Sequence, residues 1–341
     1  MSDTEFNVTF AGPLVTVQDV GRRGHMRFGV PHSGPMDRLA FQAAHTALGN
    51  APGLGALEVS LGGLVLTCTQ GAVTLSITGG DFVVDHAGQT HRSWVILTVK
   101  KGERLSLRAG PSGSWAYVAF AGQLHAQSWL GSSATHALSG FGGGTVTTGQ
   151  VLGVKQSEIR DDRLGDIPQI QGVDTPQHDG VDTGPIRVVM GPQDRHFEAA
   201  ALDHFTSAPF KVTDAYDRMG MRLNGPALGL KAALSIPSEP IVRGSVQVAG
   251  DGVPTVLLAD HQTTGGYPKI ATVIGRDTDR LAQHRKGQEM RFKSICAQDA
   301  VRIARDHSAR MAGYLDQIAV ARGSFAQRLM RENLIFGCDW D

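Results

Sequence analysis

The sequence predicts a mainly β protein with a few short helices, and three observations carry that expectation. Glycine occurs 43 times in 341 residues, well above ordinary usage. Between Ala56 and Gly122, short apolar runs are punctuated by glycine: ALEVSLGG, LVLTC, AVTLSITGG, DFVV, SWVILTV, RLSLRAG and SWAYVAFAG. Runs of this length and spacing describe strands joined by tight turns, and they predict a closed or sandwiched antiparallel sheet. Helical periodicity, the third observation, is confined to a handful of segments.

Taken in order, residues 6 to 17 alternate weakly and end in the strand-like Leu14-Val15-Thr16-Val17. Pro35 to Leu48 places Met36, Leu39, Ala40, Ala43, Ala44, Ala47 and Leu48 at helical spacing. Ser33 is a candidate cap for this helix, and Gly49-Asn50 is its stop. The seven apolar runs follow. Residues 123 to 149 are irregular, and GFGGGTVTTG (Gly140 to Gly149) lacks the Lys-Ser/Thr of a phosphate loop, so a surface loop is expected there. Glu158 to Thr183 is charged and rich in Asp, Gln, Gly and Pro, the composition of a connection between domains. Beyond it, Ile186 to Met190, Phe210 to Val212, Met221 to Leu223, Ala233 to Ile236, Ser245 to Val248, Thr255 to Ala259, Ile270 to Ile274 and Glu289 to Phe292 are expected strands. Gln193 to Phe205 and Asp277 to His284 are expected short helices. Ala297 to Met330 is helical in period and is expected to form a peripheral tail.

A chain of this length predicts two domains. The expected boundaries are an N-terminal β-barrel domain at 1–157, a linker at 158–183, a C-terminal β-barrel domain at 184–295 and a helical tail at 296–341. KKGERLSL (Lys100 to Leu107) and RKGQEMRF (Arg285 to Phe292) share a pattern, as a duplicated β-domain would produce.

Lysine plus arginine and aspartate plus glutamate number 32 each, with a pI near 7.2, so no net field attracts nucleic acid or an anionic membrane. MSDTEFNVTF has neither a basic nor an apolar leader region, and no apolar run is long enough to span a bilayer. A soluble, cytoplasmic protein is expected. Cys68, Cys296 and Cys338 are too few and too scattered for a disulfide framework or a CxxC metal site, and His86 and His91 lack a ligand spacing. No metal is expected.

Two stretches carry dense chemistry. LLADHQTTGGYPKI (Leu257 to Ile270) runs from an apolar strand into Asp260, His261, Gln262, Thr263 and Thr264, then Gly265, Gly266, Tyr267, Pro268 and Lys269. QDVGRRGHMRFGVPHSGPMD (Gln18 to Asp37) is a long loop bearing Asp19, Arg22, Ser33, Gly34 and Asp37. Polar, glycine-rich loops at strand ends are poor core material, which predicts that the two converge on one cleft. Blander readings stand beside this one: a hairpin tip at Gly265-Gly266, a loop-fixing Asp19–Arg22 ion pair, Asp37 supporting a first helical turn, Arg218 in a turn, and a solvated Glu239.

TVQDVGR (Thr16 to Arg22), GVPHSGPMD (Gly29 to Asp37), ALEVSLGG (Ala56 to Gly63), DRMGMRL (Asp217 to Leu223), SEPIVRGSVQV (Ser238 to Val248) and LLADHQTTGGYPKI resemble, in order, the carboxyltransferase-like proteins. That family includes the C component of bacterial 5-oxoprolinase, the Kip antagonist of a sporulation-kinase inhibitor, and the "allophanate hydrolase subunit 2" half of the urea carboxylase carboxyltransferase domain. The resemblance implies two tandem cyclophilin-like β-barrels. It also implies a partner of the Kip-inhibitor type, the B component, and in 5-oxoprolinase a lactam-hydrolase-like A component. The implied activity is ATP-dependent cleavage of 5-oxoproline to glutamate. The alternatives are a urea or amide carboxyltransferase component of a biotin-dependent carboxylase, or a regulatory protein that binds a kinase inhibitor. The chain has no A-M-K-M-type lysine and no Walker loop, so biotin is not expected to be attached here, and ATP is expected to bind with a partner's help.

Both candidate substrates present an amide whose oxygen gains negative charge. A site for either needs cations or donors at that oxygen and an acceptor or base at the N–H. Lys269, Asp19, Asp37 and Asp260 are the expected catalytic residues. Arg22, Ser33, Gly34, Arg218, Glu239, Gln247, Gln262, Thr263, Thr264, Gly265, Gly266 and Tyr267 are the expected substrate-binding set.

Overall fold

The computed structural model describes residues 2–168, 184–231 and 236–319. Its N-terminal part is an 11-stranded sheet. The strands are β1 (Ser2–Ala11), β2 (Thr16–Gln18), β3 (Ala56–Ser60), β4 (Leu64–Gln70), β5 (Ala72–His86), β6 (Gln89–Arg92), β7 (Val95–Lys100), β8 (Arg104–Phe120), β9 (Gln123–Leu124), β10 (Val151–Ser157) and β11 (Gly165–Asp166). They run in the order β11-β7-β5-β8-β4-β1-β10-β9, with β3 joining β8 to β2 and β6 pairing with β5. Helix α1 (Arg38–Leu48) packs on this sheet.

The C-terminal part is a closed barrel of seven strands. They are β12 (Ile186–Met190), β13 (Pro209–Tyr216), β14 (Gly220–Asn224), β16 (Ser245–Val248), β17 (Pro254–Leu257), β19 (Lys269–Val273) and β20 (Glu289–Ser294), in the order β12-β19-β16-β17-β14-β13-β20. β15 (Glu239–Pro240) and β18 (Thr264–Gly265) form a separate two-stranded ribbon. Helices α2 (Ala199–Ser207), α3 (Gly275–Ala282) and α4 (Ala297–Ala319) also belong to the described residues. Among the described residues no helix is long and apolar enough to cross a membrane.

The protein is mainly β, as expected, but among the described residues only the C-terminal sheet closes into a barrel. The difference begins with glycines read as turns. AVTLSITGG and DFVV are one strand of 15 residues, and RLSLRAG and SWAYVAFAG are one of 17. Where the antiparallel pairing of β5 and β8 shifts register, a Cβ on Gly80 would lie 2.8 Å from the Gly113 Cα, and one on Gly79 or Gly110 would collide with the opposing backbone. The glycines permit close approach and register shifts in the middle of paired strands. The two look-alike segments each make a turn at a left-handed glycine, Gly102 (φ 86°) and Gly287 (φ 80°), and enter β8 and β20.

Helix α1 forms where the apolar spacing predicts. Its cap is Asp37 rather than Ser33: the Asp37 Oδ1 accepts from the Ala40 N–H at 3.0 Å, and Gly49 ends the helix in the left-handed region. Leu39, Phe41, Ala43, Ala44 and Leu48 are buried, and Ser76 and Thr78 of β5 donate hydroxyls to the helix carbonyls of Ala44 and Ala40 at 2.7 Å.

Each of two hydrophobic cores borrows from the other part of the chain. The first is built on Phe6, Leu57, Leu75, Val118 and Phe120, and Tyr314 and Ile318 of α4 complete it. The second is built on Val188, Phe205, Phe210 and Phe292, and it takes in Met36 and Trp115. The expected peripheral tail is therefore anchored by α4, while residues 320–341, including Cys338, lie outside the described residues. The expected linker starts docked: β11 pairs with β7, Ile167 is buried, and Arg160 reaches the Leu48 carbonyl and Asn50. Residues 169–183 lie outside the described residues, as does most of the strand expected at Ala233 to Ile236.

Candidate functional site

Strand β17 ends at Leu257, and the chain then lays Asp260, Gln262, Thr263 and Thr264 along one wall of a cleft of about 360 Å³. Another wall comes from Arg22, Gly29, Val30 and Pro31. The two polar stretches do converge. A third wall, from the stretch expected to be irregular chain and surface loop, supplies Trp129, His136, Leu138, Ser139 and Phe141, with the Trp129 and Phe141 rings stacked at 4.4 Å. A signal for it exists in the sequence: two large aromatics in a glycine-rich stretch otherwise poor in apolar side chains.

Arg22 is buried. Its Nε donates to the Trp129 carbonyl at 3.1 Å, another guanidinium nitrogen donates to the Ala134 carbonyl, and its Cζ stands 5.2 Å from the Trp129 ring centre. Nη1 has no partner among the described residues. His136 accepts the Ser139 N–H and hydroxyl at Nδ1, at 3.3 and 2.6 Å, which in the neutral ring places the proton on Nε2. Gln262 donates Nε2 to the Gln247 Oε1 at 3.3 Å. Met219 and Gln262 are shared with a neighbouring groove that Gln247 and Tyr267 also line.

Beneath the cleft lies a buried charge hub. Arg218, in the turn between β13 and β14, donates Nε and Nη2 to the two oxygens of Asp260 at 3.0 and 2.9 Å, Nη1 to Glu58, and Nη2 to the Gly34 carbonyl at 2.7 Å. Glu58 also accepts the Met36 N–H and the Tyr117 hydroxyl, both at 2.8 Å. The hub joins the N-terminal sheet to the barrel. Burial alone would raise the Asp260 pKa, and the Arg218 charge and hydrogen bonds more than offset it, so the carboxyl is held below its ordinary value.

Three of the expected catalytic carboxylates are thus occupied. Asp260 lines the cleft but is bound by Arg218 and by the Ala137 N–H at 3.0 Å, which makes it a weak base. Asp19 accepts the Gly21 N–H and the Ser132 hydroxyl at one oxygen and the Ser133 N–H and hydroxyl at the other, at 2.6 to 3.1 Å. It fastens two loops together, and its oxygens are spent on serines and backbone, which leaves it neither the expected catalytic base nor the ion-pair partner of Arg22 that the blander reading gave it. Asp37 caps α1 and accepts the Gln283 amide at 2.8 Å, so the helix-supporting reading holds for it. Arg218 is an ion-pair hub, and neither the ligand contact nor the simple turn residue that the sequence suggests.

Lys269 is buried, not solvated, and does not line the cleft. Its Nζ stands 3.5 Å from Glu239 and 3.3 Å from the Pro240 carbonyl, under the β15–β18 ribbon, where Gln193 also binds Glu239 at 2.6 Å. Gly265 and Gly266 make room for protein: a Cβ on Gly265 would collide with Ile241 and lie 2.6 Å from the Gln247 amide, and one on Gly266 would lie 3.0 Å from the Ile236 carbonyl. Ser33, left-handed at φ 54°, lines a second cavity, and Gly34 serves the hub through its carbonyl. Among the described residues no group of three or more His, Cys, Asp or Glu side chains is placed to hold a metal.

Burial, and secondarily the charge of Asp279, pushes Asp37 up from 3.8 to about 7. A folded-state pKa above the unfolded value means a contribution to stability that is full below about pH 4 and lost as pH rises through 7. Asp37→Asn lacks this titration. Its stability relative to the parent is therefore expected to improve between pH 4 and 8, by up to about 4 kcal/mol, in urea melts at each pH.

Residues 28–294 match the family model described as "Carboxyltransferase domain, subdomain A and B". The chain is 33% identical to the C component of 5-oxoprolinase from Haemophilus influenzae over 89% of its own length and 94% of that protein's, and 32% identical to the Escherichia coli protein of the same name, over 91% and 96%. The urea amidolyase structure from K. lactis superposes with a TM-score of 0.80 at 25% identity over 91% of this chain, which spans only 20% of that larger protein. With two thirds or more of the chain accounted for by one model and by these relatives, it belongs to the carboxyltransferase-domain family, subdomains A and B.

Proposed function

We propose that this chain is the C component of an ATP-dependent 5-oxoprolinase and that the 360 Å³ cleft holds the lactam. The observation that carries this reading is the likeness to the C component of 5-oxoprolinase over nearly the full length of both proteins. The cleft's chemistry supports it. A five-membered lactam presents its N–H and C=O on one edge. The Gln262 Oε1, which receives no hydrogen bond from the described residues, suits the N–H. The free Arg22 Nη1 and the His136 Nε2–H suit the oxygen as it gains charge. Val30, Leu138 and Met219 offer apolar walls to the ring carbons. Lys269 and the Asp19 and Asp260 carboxylates act here by holding the segments that carry these groups, and Asp37 by capping α1.

ATP is a co-substrate in this reading and binds with the help of the partner B and A components. The surface around the cleft suits a partner: Phe28 is 68% and Leu138 75% exposed, with Phe141, Tyr267, Val20 and Val242 also open to solvent. A sister protein seated there removes apolar surface from water and closes the site to it.

The test is co-expression with candidate B and A components, followed by an assay of ATP-dependent glutamate release from 5-oxoproline. Turnover by the full set, lost when this chain is omitted, is the expected result. A second reading, a component that moves a carboxyl group to urea or another amide, has support in the family model and in the likeness to urea amidolyase. Carboxylation of urea by carboxybiotin, with no glutamate release by the full set, would favour it.

A further inference from the structure

The loops that form the cleft have a second face. Neighbouring residues alternate between two cavities: Arg22 and Asp260 line the cleft, whereas Arg23, Ala259 and His261 line a cavity of about 330 Å³ that also receives His32, Arg38 and Arg243. No carboxylate lines it among the described residues. Three arginines from separate segments line it, and Asp279, paired with Arg38 at 2.9 Å and Arg243 at 3.2 Å, is the acid set against them; Arg38 also donates to the Gly275 carbonyl and the Thr278 hydroxyl. Arg23 is exposed and forms no ion pair with the described residues. Arg243 is fixed by the carbonyls of Pro35 and Met36, and its buried Nε has no partner among the described residues.

The two imidazoles are preset. In the neutral rings the His261 Nδ1–H donates to the Gln262 carbonyl at 2.7 Å and the His32 Nδ1–H to the Ser33 carbonyl at 3.2 Å, so each Nε2 is bare. Gly21 gives His32 its place, since a Cβ there would lie 2.5 Å from the ring. Burial first, and then the neighbouring arginines, holds both pKa values down: Arg23 and Arg243 against His32, and Arg243 and His32 itself against His261. The hydrogen bond to the Ser33 carbonyl and then Asp19 act in the opposite sense on His32, and the hydrogen bond to the Gln262 carbonyl and then Asp260 on His261.

We propose that this second cavity is a binding site for a phosphoryl group, free or carried on a small organic molecule. An Arg23 unpaired among the described residues beside two imidazoles, with Arg38 and Arg243 adding positive charge that Asp279 only partly offsets, suits a dianion better than a singly charged carboxylate. The bare Nε2 atoms accept a P–OH proton or take up a proton when the dianion enters, and then donate to its oxygens. Binding therefore draws in protons and strengthens as pH falls from about 8 to about 6.

The site is tested on the chain itself, without turnover, by calorimetric titration with inorganic phosphate, phenyl phosphate and acetate at about pH 6, 7 and 8. Saturable phosphate binding is expected, at least about tenfold tighter than acetate, tighter at the lowest pH than at the highest, and weakened about tenfold by Arg23→Ala. Arg23 is exposed and outside any ion pair with the described residues, so that variant keeps its fold. Phenyl phosphate binding more tightly than phosphate assigns a phosphomonoester, and equal affinity assigns free phosphate. Absence of saturable binding, acetate binding as tightly as phosphate, or unchanged affinity in Arg23→Ala overturns the proposal. Because the readout is binding alone, its failure is distinct from failure of the 5-oxoprolinase reading.

Discussion

Arg218→Met is expected to cost about 3–5 kcal/mol of folding stability, the scale for removing one partner of a buried ion pair. The side chain is almost wholly buried, and its nitrogens serve Asp260, Glu58 and the Gly34 carbonyl together. Methionine fills much of the space but leaves two carboxylates buried without their cation. Lysine is not a substitute, since one ammonium cannot address acceptors on three segments as a planar fork does. The measurement is urea unfolding of the parent, of Arg218→Met, and of Arg218→Met combined with Glu58→Gln and Asp260→Asn. The triple variant neutralises the stranded charges and is expected to recover at least half of the loss. A single-variant cost below about 1 kcal/mol would show that the hub does not hold the two parts together.

Gln262→Ala is expected to lower turnover of the assembled 5-oxoprolinase by on the order of a hundredfold, the scale of one lost polar partner at a reacting amide. The residue is half-buried, and among the described residues its side chain is held by the 3.3 Å contact with Gln247, so little stability rests on it. Both kcat and KM are to be measured with matched folding. A fall in kcat/KM with unchanged melting is the expected pattern. Full activity in Gln262→Ala would remove the cleft's amide-reading group from the proposed mechanism and shift the search to the groove beyond Gln247.

What can be read from the sequence is what short-range rules govern. The β character, helix α1 with its Gly49 stop, and the start of α3 within two residues all follow from period and punctuation. The meeting of the two polar loops is also legible, because such segments cannot be buried without partners. The functions of individual charges are not. Asp19 is satisfied by Ser132 and Ser133, Asp37 by Gln283, and Arg218 by Glu58, partners 113 to 246 positions away. A carboxylate in a loop looks the same in sequence whether it faces a substrate or a distant backbone N–H. Gly79, Gly80, Gly110 and Gly113 mislead for a related reason, since a register shift between two long paired strands and a pair of turns use the same residue.

The burial of Tyr314 and Ile318 against the N-terminal core has a consequence for how the protein is made. Every strand of the first sheet has been synthesised by residue 166, yet the helix that closes its core follows well over a hundred residues later. At about 5–20 residues per second, the ribosome needs on the order of ten seconds or more to reach it. Through that interval the outer face of α1 waits uncovered on the nascent chain, while the barrel is still being assembled. The N-terminal sheet is therefore complete in sequence long before the helix that covers part of its core has left the ribosome.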